Sequence, residues 1–133
     1  METKLTGAVT TLTLNRPEKA NALTEEMLAG LRDAVRAART PVLVLTGAGK
    51  VFSAGADLEA AKAGLAVSPV WEELSSALAA YPGLTIAELN GSVAGGAMGM
   101  VLACDLRVAA DHAAFFYPVM KLGFLPQPSD PAR

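Results

Sequence analysis

Two short segments of small residues carry the atoms that could do chemistry in this sequence. The first turn reads FSAGADL over residues 52–58, and the second turn reads NGSVAGGAMG over residues 90–99. Each follows an apolar, strand-like run and precedes helix-forming residues, so each predicts a strand–turn–helix junction. Glycine leaves backbone N–H groups uncovered at a helix start, where the unpaired donors and the helix dipole favour an anion or a polarised carbonyl oxygen. Considered alone, the second turn is explained equally well by close helix packing.

Side-chain chemistry is scarce by comparison. The only histidine, His112, has no Cys, Asp or Glu companion at the spacing of metal ligands, so no metal site is expected. Ser53 and Ser92 lack the Gly-x-Ser-x-Gly context of a nucleophilic serine, and one histidine leaves little room for a Ser-His-Asp triad. The single cysteine, Cys104, lies in an apolar run, where we expect it to be a small buried hydrophobic residue.

Composition and charge narrow the class of partner. The chain has 11 basic and 13 acidic residues, a net charge of −2 and 5% aromatic residues, which disfavours a nucleic-acid partner. A hydrophobic fraction of 52% in 133 residues is enough to bury a core in one domain. The longest apolar run, residues 93–104, is too short and glycine-rich to span a bilayer, and the polar N-terminus is unlike a signal peptide. We therefore expect a cytoplasmic protein without a membrane partner.

Hydrophobic periodicity predicts the elements that must position the two turns. Strands are predicted at residues 8–14, 42–46, 84–89 and 106–109. Helices are predicted after an N-cap at Thr24 and over residues 58–64, 68–80 and 97–103. The unbroken apolar run of residues 42–46 is typical of a strand covered on both faces. Strand, helix and strand recur without a short-period repeat, so we predict a layered α/β fold.

Both turns and their flanking segments together resemble the crotonase (enoyl-CoA hydratase/isomerase) superfamily. The supporting stretches, in the family's order and spacing, are LNRPEKANALTEEML (14–28), VLVLTGAGKVFSAGADL (42–58), ACDLRVAA (103–110) and LGFLP (122–126). The resemblance implies an α/β fold built as a spiral of ββα units. Because family members continue after LGFLP into further strands and helices, we interpret residues 1–133 as one crotonase-like core domain, truncated before the C-terminal helical part.

The resemblance also implies a site. The backbone N–H groups of Ala56 and Gly96 would donate to the thioester oxygen of an acyl-CoA, forming an oxyanion hole that stabilises an enolate-like charge. Further candidates for substrate binding are Lys19, Ala20, Ala54, Gly55, Asp57, Leu58 and Gly95. Lys19 and Ala20 are candidates for contacting coenzyme A, although a solvated loop charge explains Lys19 equally well. Asp57 is expected mainly to cap the helix that follows. No cofactor is implied beyond the coenzyme A of the substrate.

Two positions depart from the hydratases of that family. Those enzymes carry one glutamate three residues after the oxyanion-hole glycine and another directly after a downstream proline, where this sequence has Gly99 and Val119. Neither residue can transfer a proton, so hydration by the usual acid and base is not expected. Tyr117 is interpreted as core or pocket wall rather than as a proton carrier.

Two classes of function remain open. We expect an acyl-CoA-processing enzyme, a lyase or isomerase by resemblance, that stabilises a thioester enolate in the oxyanion hole. The reactions left open are hydration by unconventional residues, double-bond isomerisation, decarboxylation and thioester hydrolysis. The alternative is a non-catalytic acyl-CoA-binding or assembly subunit that keeps the hole and has lost the acid and base. By resemblance, we expect the protein to form a homo-oligomer, either a trimer or a dimer of trimers.

Overall fold

One sheet of five strands forms the frame of the protein. The computed structural model describes all residues, 1–133. The strands of this main sheet are β1 (Glu2–Thr6), β2 (Val9–Leu14), β3 (Val42–Gly47), β4 (Leu84–Leu89) and β6 (Leu106–Ala109). Their order is β1–β2–β3–β4–β6; β1 pairs antiparallel with β2, and every other neighbouring pair is parallel. The predicted strands at 8–14, 42–46, 84–89 and 106–109 are thereby confirmed.

Four helices connect the parallel strands, which need crossovers to run in one direction. They are α1 (Glu25–Ala37), α2 (Leu58–Lys62), α3 (Val70–Ala79) and α4 (Ala97–Ala103). The predicted start of α1 is confirmed, because the Thr24 hydroxyl accepts a 3.2 Å hydrogen bond from the N–H of Met27. No helix of the structure combines the length and the apolar character needed to cross a bilayer.

The core lies on one face of the main sheet. Alternate residues of the central strands are buried there, and they join the buried side chains of α1, α3 and α4 in a single hydrophobic cluster. On β3, Leu43 and Leu45 are buried while Val42 and Val44 are only half-buried. The expectation that this strand is covered on both faces is therefore wrong for this chain, because the helices pack against the first face only.

A second sheet of two short strands lies at the second turn. β5 (Val93–Ala94) pairs in parallel with β7 (Phe115–Phe116), and an isolated bridge joins Ser53 to Val93. This arrangement brings the first turn, the second turn and the segment around residue 116 to one place. The chain ends in a short helical turn, Asp130–Ala132.

Candidate active site

An apolar cavity of ≈ 210 Å³ lies between the two turns and the C-terminal segment. Five of the residues predicted to bind substrate or form the oxyanion hole line it, namely Ala54, Ala56, Leu58, Gly95 and Gly96. Tyr117 and Val119, from the segment that follows β7, also line the cavity. Lys19, Ala20, Gly55, Asp57 and Gly99 lie outside its lining. The cavity thus unites the small residues of two turns that are far apart in sequence.

The first turn is tied to the loop that precedes α1. Ser53 is buried, and its hydroxyl donates to the carbonyl of Asn21 at 2.8 Å while accepting from the N–H of Gly55 at 3.1 Å. The N–H of Ala54 donates to the carbonyl of Ala20 at 2.9 Å. Ala20 therefore supports the shape of the turn from behind, whereas Lys19 points its charge to an exposed surface.

Two asparagine side chains brace the same region. Asn21 is fully buried with a positive φ of 52°, a conformation that asparagine tolerates better than most residues. Its amide donates to the carbonyls of Ala48 and Val51 at 2.8 and 3.1 Å. Asn90 donates to the carbonyls of Gly49 and Val51, both at 3.0 Å. These bonds fix the strand-to-turn segment that carries Phe52 and the first turn.

The two turns touch through their backbones. The N–H of Ala94 donates to the carbonyl of Ser53 at 3.0 Å. Gly55 adopts a φ of 92°, and a Cβ added there would lie 2.8 Å from the carbonyl oxygen of Ala94. Only glycine satisfies both the positive φ and this close approach. Gly95 has a φ of 59° and donates its N–H to the carbonyl of Phe116 at 2.8 Å.

The backbone N–H groups of Ala56 and Gly96, the two predicted oxyanion-hole residues, have no acceptor within the protein. The N–H groups of their neighbours Gly55, Asp57 and Gly95 are all bonded. Gly96 is the N-cap residue of α4, where the first N–H groups of a helix lack intrahelical partners. Both residues therefore keep a backbone donor that is not used within the protein.

Asp57 caps α2, as predicted. One carboxylate oxygen accepts from the N–H groups of Glu59 and Ala60 at 3.1 and 3.2 Å, and the other accepts from Arg16 at 2.9 Å. The N–H of Ala60 and then the Arg16 guanidinium hold the pKa of Asp57 below its usual value. With both oxygens engaged, Asp57 stabilises the turn that presents Ala56.

Gly99 and Tyr117 both lie against the carboxyl group of Asp130, which the sequence patterns did not predict. Asp130 is 4% exposed, and one of its oxygens accepts a short hydrogen bond from the Tyr117 hydroxyl. A Cβ added to Gly99 would lie 2.9 and 3.0 Å from its two oxygens. The other carboxyl oxygen has no hydrogen-bond partner.

The comparison with known families decides the assignment. The family model of enoyl-CoA hydratase/isomerase matches residues 4–129 of the chain. The chain belongs to this family. Its crotonase-like α/β fold, predicted from the two turns and their flanking segments, is thereby confirmed.

Relatives of known sequence and structure agree with that assignment. A probable enoyl-CoA hydratase of Mycobacterium leprae is 38% identical over 122 residues, covering 86% of this chain and 49% of the relative. The 1,2-epoxyphenylacetyl-CoA isomerase of Escherichia coli is 36% identical over 131 residues, covering 89% and 50%. The structure of an enoyl-CoA hydratase/carnithine racemase from Magnetospirillum magneticum matches with a TM-score of 0.87 at 31% identity, covering 98% and 53%. The chain spans about half the length of the curated relatives it matches.

The contacts of Trp71 were also not predicted from the sequence patterns. Trp71 lines the cavity, donates its indole N–H to the carbonyl of Leu65 at 2.8 Å, and packs beneath Gly96, where an added Cβ would lie 2.9 Å from its ring. The place of Trp71 on the buried face of α3 is the sequence feature that could have predicted these contacts. Cys104 behaves as predicted: it is buried, and burial raises its pKa to about 12.

Proposed function

We propose that the cavity binds an acyl-CoA thioester, with the thioester carbonyl oxygen accepting hydrogen bonds from the N–H groups of Ala56 and Gly96. One observation carries this proposal: two donors without a partner in the protein belong to residues that line the same apolar cavity. Such donors act on the negative charge that develops on the carbonyl oxygen, and each is typically worth about 3 kcal/mol in the transition state.

The reaction class follows from the family assignment together with that oxygen. A thioester carbonyl oxygen can carry the charge of an enolate or of a tetrahedral intermediate, and the family resemblance implies the enolate, so the proposed activity is lyase or isomerase chemistry at the α-carbon. The relatives' names include an enoyl-CoA hydratase and an acyl-CoA isomerase, which share the CoA thioester. Hydration by two glutamates is not proposed, because Gly99 and Val119 offer no carboxyl group.

The rest of the cavity suits an acyl chain. Its wall is largely hydrophobic, and Leu58, which is 77% exposed, contributes an apolar side chain at its edge. Burial of acyl methylene groups there would contribute about 0.8 kcal/mol each. Lys19 is exposed on the loop tied to the first turn, and its contact with the charged part of coenzyme A stays a prediction.

A non-catalytic acyl-CoA-binding subunit is the second candidate. Gly99 and Val119 favour it, because both lack a proton-transferring group. Incubation of the protein in D₂O with a panel of acyl-CoA thioesters separates the candidates. A new chromatographic product, a mass change or deuterium uptake in any thioester indicates an enzyme, and binding without any of these indicates the binding subunit.

Calorimetry with butyryl-CoA and free butyrate tests the site itself. We expect binding of the thioester only. Gly96→Pro deletes one donor while keeping a φ near the −58° of Gly96, and Gly96→Ala is the matched control because it adds a Cβ beside Trp71 but retains the N–H.

Gly96→Pro should bind butyryl-CoA about tenfold more weakly than Gly96→Ala, the value of one hydrogen bond. Circular dichroism checks that both variants fold. Equal affinities in the two folded variants would show that the N–H of Gly96 is not a ligand donor.

A further inference from the structure

The carboxyl group of Asp130 is buried with an unpaired oxygen beside the proposed binding site. The residue is 4% exposed, and its Oδ1 has no hydrogen-bond partner, although buried polar atoms are almost always paired. Its Oδ2 accepts from the hydroxyl of Tyr117, a residue that lines the cavity. Tyr117 therefore connects the buried carboxyl group to the cavity.

Long-range contacts hold Asp130 in this place. The neighbouring Ser129 donates to the carboxylate of Glu72 on α3 through its hydroxyl and, at 3.3 Å, through its N–H. Arg133 donates to the hydroxyl of Ser75 on the same helix at 2.9 Å. The short C-terminal turn is thereby fastened to α3 on both sides of Asp130. Its carboxyl group is directed against α4 at Gly99, one helical turn from the oxyanion-hole residue Gly96.

We propose that Tyr117 and Asp130 form a proton-transfer pair that removes and returns the α-proton of the bound thioester. The inference rests on the proposed function, since the enolate that forms needs the oxyanion hole. Tyr117 is the catalytic residue, because it lines the cavity, and Asp130 is the positioning residue that acts through it.

The proposed proton transfer uses only the substrate, Tyr117 and Asp130. The α-C–H bond breaks, and its electron pair forms the carbon–carbon double bond of the enolate. The π electrons of the carbonyl group move to the thioester oxygen, which lies beside Ala56 and Gly96. The α-proton goes to the Tyr117 oxygen, and the Tyr117 proton passes to the Asp130 carboxylate. The negative charge thus moves from the carboxylate to the enolate oxygen. The reverse transfer protonates the enolate.

The surroundings of Asp130 favour proton uptake. Glu72 faces it from α3, Arg133 from the terminal turn and Tyr117 from the cavity side, while α4 contributes no titratable group. Burial, and then the negative charge of Glu72, raise the pKa of Asp130 above its usual value against the opposing influence of Tyr117 and Arg133. Burial and the hydrogen bond to Asp130 likewise raise the pKa of Tyr117, so its hydroxyl is neutral at rest.

Exchange of the α-hydrogens of butyryl-CoA in D₂O measures this step alone. We expect the wild-type protein to catalyse exchange and Tyr117→Phe to slow it by about 10² to 10⁴, with unchanged affinity for butyryl-CoA. Tyr81→Phe is the matched control, because Tyr81 donates to the carbonyl of Thr40 at 2.7 Å outside the cavity lining. That variant should exchange at the wild-type rate.

A pH profile isolates the role of Asp130. Wild-type exchange should rise with pH as the carboxyl group ionises, above the usual range of an aspartate, and Asp130→Asn should slow exchange and lose this rise. An unchanged rate in Tyr117→Phe, an unchanged profile in Asp130→Asn, or binding without exchange by the wild type would overturn the pair while leaving the binding site intact. Absence of butyryl-CoA binding by the wild type would overturn the proposed function as well.

Discussion

Asp130 occupies the space into which a side chain at Gly99 would extend. A Cβ on Gly99 would lie 2.9 Å from Oδ1 and 3.0 Å from Oδ2 of that aspartate, closer than carbon and oxygen can pack. A glutamate at position 99 would therefore have to displace a buried carboxyl group and would place a second negative charge beside it. The absence of a side chain at 99 and the presence of a carboxyl group at 130 are coupled features of this chain.

Alanine substitutions at two helical glycines test this coupling. Gly30→Ala on α1 adds a Cβ with nothing within 4 Å and should stabilise the protein by about 0.5 to 1 kcal/mol. Gly99→Ala should instead destabilise it by about 1 to 3 kcal/mol through overpacking against Asp130. Urea denaturation measures both, and the double variant Gly99→Ala/Asp130→Ala should recover part of the loss. Equal stabilisation by the two single variants would contradict the contact.

Two glycine-to-alanine variants separate the contribution of the contact between the turns from that of backbone strain. Gly55 and Gly64 both have positive φ, 92° and 109°, but only a Cβ at 55 meets another atom, the carbonyl oxygen of Ala94 at 2.8 Å. Both alanine variants should lose about 1 to 2 kcal/mol to strain. Gly55→Ala should lose about 1 to 3 kcal/mol more and should also bind butyryl-CoA more weakly, because the turns must separate. Thermal melts that are equal for the two variants would argue against this contact.

Asp57 should make the protein sensitive to acid. Its folded-state pKa is lowered, so its carboxylate stabilises the fold above the unfolded-state pKa of about 3.9 and loses that contribution as pH falls through the folded-state value. Asp57→Asn should therefore lower the melting temperature at pH 7, with a difference that shrinks towards pH 3. Asp111→Asn, at an exposed carboxylate, is the matched control and should show little change. A difference that is independent of pH would refute the assignment.

Ionisation of Asp130 should change stability with pH in the direction opposite to that of Asp57. Its pKa is raised in the folded state, so the wild-type stability falls as pH rises from about 3.9 through the folded-state value. Asp130→Asn keeps an oxygen for Tyr117 without the buried charge and should melt at a higher temperature at pH 7, with little difference at low pH. Asp105→Asn should instead be destabilised, because that carboxylate accepts from the N–H and hydroxyl of Thr85. A lower melting temperature for Asp130→Asn at pH 7 would contradict the predicted cost of its charge.

The uncovered face of the main sheet should promote association. Leu106 and Val108 on β6 are 50% and 61% exposed beside the half-buried Val44 and Ile86 of the same face. Light scattering should show assemblies, and Val108→Lys should reduce them because a charge resists burial there. Leu5→Lys, on the helix-bearing side of edge strand β1, is the matched control. A monodisperse wild-type monomer at high concentration would contradict this prediction.

Local patterns predicted most of the fold. The limits of α4 and β4 and the N-cap at Thr24 follow from glycine, apolar runs and a hydroxyl before two glutamates, all of which act within a few residues. β1 was not predicted, because ETKLT is wholly exposed and forms an edge strand only by pairing with β2. Val51 and Phe52 have the apolar character of a short strand but form none in the structure; only the isolated bridge at Ser53 follows.

The candidate site could be predicted where backbone geometry determines its position. Glycines in the two turns indicated exposed donors, because only small residues permit that approach. Asp130 could not be found in the same way, since its position depends on the bond between Glu72 and Ser129, which are 57 residues apart. A carboxyl group brought in by such a contact leaves no periodicity or spacing in the sequence.

Ser53 couples the local unfolding of the two turns. Its hydroxyl joins Asn21 and Gly55, its carbonyl accepts from Ala94, and its N–H donates to the carbonyl of Ser92 at 3.3 Å. Neither turn can open without breaking bonds that converge on this one residue. We therefore expect the amides of both turns to exchange with solvent as a single cooperative unit, so that the cavity wall forms as a whole or is lost as a whole.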